Sequence, residues 1–161
     1  IGTGHFHMPA TNGGGSWNTI NPIAQIQLID NTDRDYNGNV RPLCKIIKRW
    51  KHECSVDLKA FTIELLVADF FRNYALGNYD YYWYDFYVRD CLKFFKTRVN
   101  GWVSIPGTGE IIHLGDKWAS TVDAAIAIAE MACNYERDDL DILAGMEWQK
   151  IFGPRIPIHV M

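Results

Sequence analysis

Residues 57 to 74, DLKAFTIELLVADFFRNY, would carry apolar side chains almost all the way round a helix, and this stretch constrains the fold more than any other part of the chain. A helix without a polar face must be covered on several sides, so it belongs at the centre of a bundle. Its apolar run, FTIELLVADFF, is broken by Glu64 and Asp69 and falls well short of the roughly 20 residues needed to cross a bilayer. Membrane insertion is not expected, and a soluble helical core is.

The flanking segments supply the helices that such a centre requires. Asn21-Pro22 is a cap followed by proline at the first helical position, and Ile23, Ile26 and Ile29 recur at helical spacing before Asn37-Gly38 closes the segment. Asn39 is positioned to cap the next helix, in which Val40, Leu43, Cys44, Ile47, Trp50 and Cys54 step by three or four along one buried face. Asn78 or Asp80 begins an aromatic helix that Asn100-Gly101 ends. Ser120 to Asp123 fits a variant capping box ahead of DAAIAIAEMACNYE. A last helix, DLDILAGMEWQKIF, stops at Gly153-Pro154. The expected fold is all-α, a bundle of about six helices with one short hairpin near 102 to 114. Residues 1 to 20, rich in Gly, Thr, Asn and Ser, read as an extended linker, and 21 to 161 as the helical domain.

At 161 residues, 48% of them hydrophobic, the chain is long enough for one domain with a real core. Cys44, Cys54, Cys91 and Cys133 form no C-x-x-C pair, so free thiols are expected rather than zinc or a disulfide framework. His5 and His7 make an H-x-H, but the only other histidines after His52 are the distant His113 and His159, so these read as loop histidines. The beginning has no basic stretch leading into an apolar one, which makes a cytoplasmic setting the default. The chain opens on Ile1 rather than Met and is read as a fragment.

Charge is distributed unevenly. Arg41, Lys45, Lys48, Arg49 and Lys51 fall within eleven positions that hold no acid, and taking those five charges from a net of −3 leaves −8 for the rest. Arg41, Lys45, Lys48 and His52 step by four, three and four, so they share one stripe opposite the buried face. Such a row is most often a solvated face, yet it also suits phosphates, for which lysine is a point charge and arginine a forked donor. Phe61 lies near the start of the central helix. It reads either as core or as a ring on which a base could stack.

Catalytic signatures are missing. The D-x-D candidates, Asp33 with Asp35 and Asp139 with Asp141, lie on or beside helices, where residues two apart diverge by about 200° and cannot easily share an ion. No G-x-S-x-G, Walker A or G-x-G-x-x-G pattern occurs. By itself the chain reads as a binding half.

GGSWNTINPIAQIQLID, NGNVRPLCKIIKRWK, LKAFTIELLV and AGMEWQKIFGPRIPI, in that order, resemble the C-terminal helical half of the cyclic-oligonucleotide synthases of bacterial antiphage defence. These are nucleotidyltransferases related to oligoadenylate synthase and to the animal cyclic GMP-AMP synthase. The resemblance implies that Lys48 matches the lysine reaching the triphosphate of a bound nucleotide, with Lys45 and Arg41 beside it, and that Phe61 matches the aromatic residue stacking on a base. Ala60 departs from the serine typical of the family, which removes one phosphate donor. The family's Gly-Ser motif, D-x-D and third acid have no match here, so this chain alone is expected to be inactive. Two Mg2+ ions, the nucleoside triphosphates and the N-terminal catalytic domain are expected of the parent enzyme, and no cofactor of this chain. The alternative is a stand-alone helical module binding RNA or a protein: the stripe, about 16 Å long at ~1.5 Å per residue, could follow a phosphate backbone. YDYYWYDFY is a further candidate interaction surface.

Overall fold

A computed structural model describes residues 6–9, 17–73 and 84–158, with side chains from residue 21 onward. Six helices account for most of it: α1 (Pro22–Asp35), α2 (Val40–Glu53), α3 (Ala60–Asn73), α4 (Tyr84–Thr97), α5 (Ala119–Arg137) and α6 (Asp141–Phe152). The expected hairpin forms from β3 (Trp102–Ser104) and β4 (Ile111–His113), antiparallel with Val103 opposite Ile112. Within the stretch read as an extended linker, β1 (Phe6–Pro9) pairs antiparallel with β2 (Trp17–Ile20). His5, His159, the glycines at 13 to 15 and the Asn78 or Asp80 start of the aromatic helix lie outside the described residues.

The apolar helix occupies the centre. α3 is in contact with α1, α2, α4 and β3, and it buries eight residues, among them Ile63, Leu66, Phe70 and Phe71. Around it the core is aromatic: Trp50 of α2 meets Phe95 of α4 edge-on at 6.3 Å, and Phe95 meets Trp118 at 6.5 Å. All three rings are essentially inaccessible to solvent, and edge-to-face contacts of this kind add ~0.5–1.5 kcal/mol each beyond area burial. Tyr87, from the YDYYWYDFY run, belongs to the same core and packs on Phe71 at 5.6 Å, while residues 79 to 83 of that run are outside the description.

The caps divide. Asn21 performs as expected, its Oδ1 accepting from the Ala24 N–H at 3.0 Å. Asn39 stands at the N-cap of α2, but its side chain makes no capping bond. The Ser120–Asp123 capping box does not form either. α5 starts two residues earlier than that box would set it, at Ala119, because Trp118 is buried at the N-cap position with its indole N–H donated to Leu114 O at 2.9 Å. Docking of that ring sets the helix start.

The long α5–α6 hairpin closes the bundle, α5 lying on α4 and α6 on α2. The end of α6 is pinned: Arg49 donates through Nε to Phe152 O at 2.9 Å and pairs with Glu53 at 2.6 Å. Gly153 follows at φ 83°, where an added Cβ would stand 2.7 Å from the Glu53 carboxylate. The W-x-x-I-F-G run therefore has a structural role, fastening α6 to α2.

Candidate functional site

Three consecutive residues of α2 point to three different neighbours. Trp50 enters the core, Arg49 reaches the end of α6, and Lys48 turns to α3, where its ammonium group pairs with Glu64. Glu64 is shared, since its other oxygen accepts from Gln25 Nε2 of α1 at 3.0 Å. Lys48 is thereby held at the junction of α1, α2 and α3. Phe61 lies one turn before Glu64 on α3, half-buried and packed against the edge of the core. The Lys48 ammonium group, carried by α2, is thus held against the helix that carries Phe61.

Arg41 and Lys45 lie along the same side of α2, and His52, the fourth member of the stripe, is exposed near the end of that helix. Arg41 pairs with Asp30 of α1 and approaches Asp33 at 3.8 Å, and its backbone N–H donates to Asp33 Oδ1 at 3.0 Å. Lys45 is exposed and enters no ion pair or hydrogen bond among the described residues. Of the five charges in residues 41 to 51, Arg41 is answered by acids of α1, Lys48 by Glu64 of α3 and Arg49 by Glu53 of α2 itself, with Lys45 left facing solvent between two paired neighbours. Beneath it, Cys44 is pushed up to about 12, first by burial and then by the Glu64 carboxylate, against the opposing charge of Lys48. A thiol in that state is no nucleophile.

Glu64 and Gln25 are the residues that reading the chain did not single out for this site. The signal was there in Glu64, an acid interrupting an otherwise apolar helix. What could not be read was the direction from which a cation would come, because that depends on how α2 lies across α3.

Two clefts among the described residues lie away from these side chains. One, of about 740 Å3, is lined by Asp85, Phe86, Glu136, Asp141, Gly145 and Trp148 among others. The second, of about 390 Å3, lies between α1, α3 and the β3–β4 hairpin, with Arg72, Arg98 and Trp102 in its wall. Lys48 and Phe61 line neither cleft, and both are half-buried.

The described residues do not fit a Mg2+ site. No group of three or more His, Cys, Asp or Glu side chains is placed to hold an ion among them. Asp33 is engaged by Arg41, and Asp35, Asp139 and Asp141 are exposed. No helix of the described residues is long and apolar enough to cross a membrane.

No protein-family model matches the chain. It is 24% identical over 166 aligned residues to a probable cyclic nucleotide synthase of Bacillus cereus (strain VD146), covering 98% of this chain and 48% of that protein. It is 28% identical over 162 aligned residues to a cyclic AMP-AMP-AMP synthase of an Acinetobacter species, covering 88% of this chain and 44% of the relative. The chain spans about half the length of the curated relatives it matches.

Proposed function

We propose that this chain, a distant homologue of bacterial cyclic nucleotide synthases over most of its length, is the helical C-terminal half of a nucleotidyltransferase that joins nucleoside triphosphates into cyclic or linear oligonucleotides. In this reading it forms one wall of the nucleotide cleft, and the product serves antiphage defence. Lys48 places a point charge on the triphosphate, Lys45 and Arg41 extend the positive edge, and Phe61 offers a ring to the base. In this reading the Mg2+ ions and the carboxylates that hold them belong to the other half of the enzyme.

One observation carries the reading: the amine of Lys48 is held by Glu64 one helical turn from Phe61, in a chain similar to the synthases over nearly its whole extent. The Glu64 pair and the Gln25 bond support it further, because they hold the long lysine side chain in place before a ligand arrives. The RNA-tracking alternative is less well served. It draws nothing from the similarity to the synthases, and its phosphates, like a triphosphate, would have to compete with Asp30 and Glu64 for Arg41 and Lys48.

The test uses the protein extended by whatever is encoded upstream of Ile1, incubated with labelled nucleoside triphosphates and Mg2+. Removing one charge-assisted contact costs ~1.5–3 kcal/mol, so Lys48→Ala should slow product formation by roughly 10- to 100-fold while circular dichroism stays unchanged. Equal rates for the variant and the parent sequence would overturn the assignment of Lys48.

A further inference from the structure

The far side of the bundle carries a second surface that the nucleotide site does not use. On α6, Ile142 and Met146 are 59% and 50% exposed, and Leu143 is 41% exposed beside them. These three recur at helical spacing and form a stripe along the outer face. Next to that stripe, one residue round the helix, Asp141 and Gly145 line the 740 Å3 cleft between α4, α5 and α6. Backbone closes its rim: the segment at Ile158 crosses α6 so tightly that a Cβ on Gly145 would stand 2.3 Å from the Ile158 carbonyl oxygen. Ile158 is itself 41% exposed and continues the apolar surface.

Charge selects what this surface takes. Asp85, Glu136, Asp139 and Asp141 line the cleft against the one guanidinium of Arg137. Glu136 is bonded to Asp85 and to the Trp148 indole N–H at 2.8 Å. Burial, and after it the Asp85 carboxyl, pushes its acid up to about 7. Four acids lining the cleft outnumber the single lining guanidinium, so an incoming ammonium or guanidinium group would be attracted to it. Trp148 gives the same cleft an aromatic wall on which the apolar stem of such a side chain can lie, beside Phe86, whose ring already carries the Arg89 guanidinium at 4.8 Å. Nucleic acid and anionic lipid would be repelled by the four acids.

We propose that the outer face of α6 and the adjoining acidic cleft form a docking surface for a basic amphipathic helix of a partner protein. The partner's aliphatic face covers Ile142, Met146 and Ile158, and one of its lysines or arginines enters between Asp85 and Glu136. The exposed Met146 of this face suits such a partner because its flexible thioether adapts to an apolar surface. This site is independent of the nucleotide reading, and its test measures binding rather than synthesis, so either can fail alone.

The test is fluorescence anisotropy with a labelled synthetic helix bearing a leucine stripe and a lysine stripe, and with a counterpart in which every lysine is glutamate. The lysine helix should bind the unmodified chain and the glutamate helix should not. The double change Asp85→Asn with Glu136→Gln, and separately Ile142→Asp with Met146→Asp, should each weaken binding tenfold or more. Asp57→Asn, which removes one carboxylate at an exposed site elsewhere, should leave it unchanged. The Ile142 and Met146 pair is exposed, so it tests the surface even if the carboxyl variant fails to fold. The proposal is overturned by failure of the lysine helix to bind, by equal losses in Asp57→Asn and the cleft variant, or by tighter binding of anionic vesicles or single-stranded RNA at this face. A dimer of the chain itself that Ile142→Asp with Met146→Asp dissolves would also overturn it, since the surface would then be taken by a second copy.

Discussion

Lys48 and Glu136 are both titratable residues held by neighbours from other helices, and they differ in what their surroundings do to charge. Lys48 sits opposite an acid, so its charge is matched within the fold, whereas Glu136 sits beside another acid, and burial keeps its proton on. Raised from an ordinary value of 4.5 to about 7, Glu136 is protonated in the folded chain across a range in which the unfolded chain has lost that proton. Its contribution to stability is therefore fully present below about 4.5 and is lost as pH rises towards about 7. Thermal unfolding of the unmodified chain should show a Tm that falls across this window relative to Glu136→Gln, whose amide keeps a hydrogen-bonding group without the titration. Parallel Tm profiles for the two proteins would remove Glu136 from the account. Of these two residues only Lys48 was legible beforehand. Its place in a stripe is a matter of spacing along one helix, whereas Glu136 acquires its character from Asp85 and Trp148, which come from α4 and α6 and are separated from it by 51 and 12 positions.

Helix ends show where reading the chain succeeds and where it does not. Asn21 followed by Pro22 is a local signal, and the cap forms because nothing outside the first turn has to agree. The Ser120 box looks equally good as a string of letters, yet α5 starts at Ala119 because burial of Trp118 places the chain. Burying an indole stabilises far more than one capping bond, so the tertiary contact decides. The helices themselves were legible in all six cases because their apolar spacing reflects packing directly, as with Val40, Leu43, Cys44, Ile47 and Trp50, every one of which is buried. Two substitutions separate the kinds of helix end. Asn21→Ala should cost ~0.5–2 kcal/mol in urea unfolding, the usual loss for a working cap, while Ser120→Ala on its exposed site should fall within about ±0.5 kcal/mol. A larger loss at Ser120 than at Asn21 would mean that the box caps α5 after all.

At the scale of the whole molecule, the four thiols report on the cohesion of the bundle because they are spread over its layers. Cys44 lies between α2 and its neighbours, Cys91 in α4 and Cys133 in α5, all buried and free, while Cys54 at the end of α2 is half-exposed and is the Sγ donor to Ile151 O at 3.7 Å. Free, widely spaced thiols agree with the reading of their sequence positions. Burial pushes every one of them up, Cys91 well above its ordinary value and Cys133 to about 12, so little thiolate exists in the folded chain near neutral pH. Reaction at the three buried sites then requires the bundle to open, and all three should follow the same opening if the domain unfolds as one unit. With iodoacetamide at pH 8 and mass spectrometry of the peptides, Cys54 should be modified first. Cys44, Cys91 and Cys133 should follow together at a much slower rate that rises in step with added urea. Early labelling of Cys133 alone would show instead that the α5–α6 hairpin detaches before α2, α3 and α4 come apart. The exposed apolar residues Ile142 and Met146 on that hairpin would then be mobile relative to the helices that carry Lys48 and Phe61.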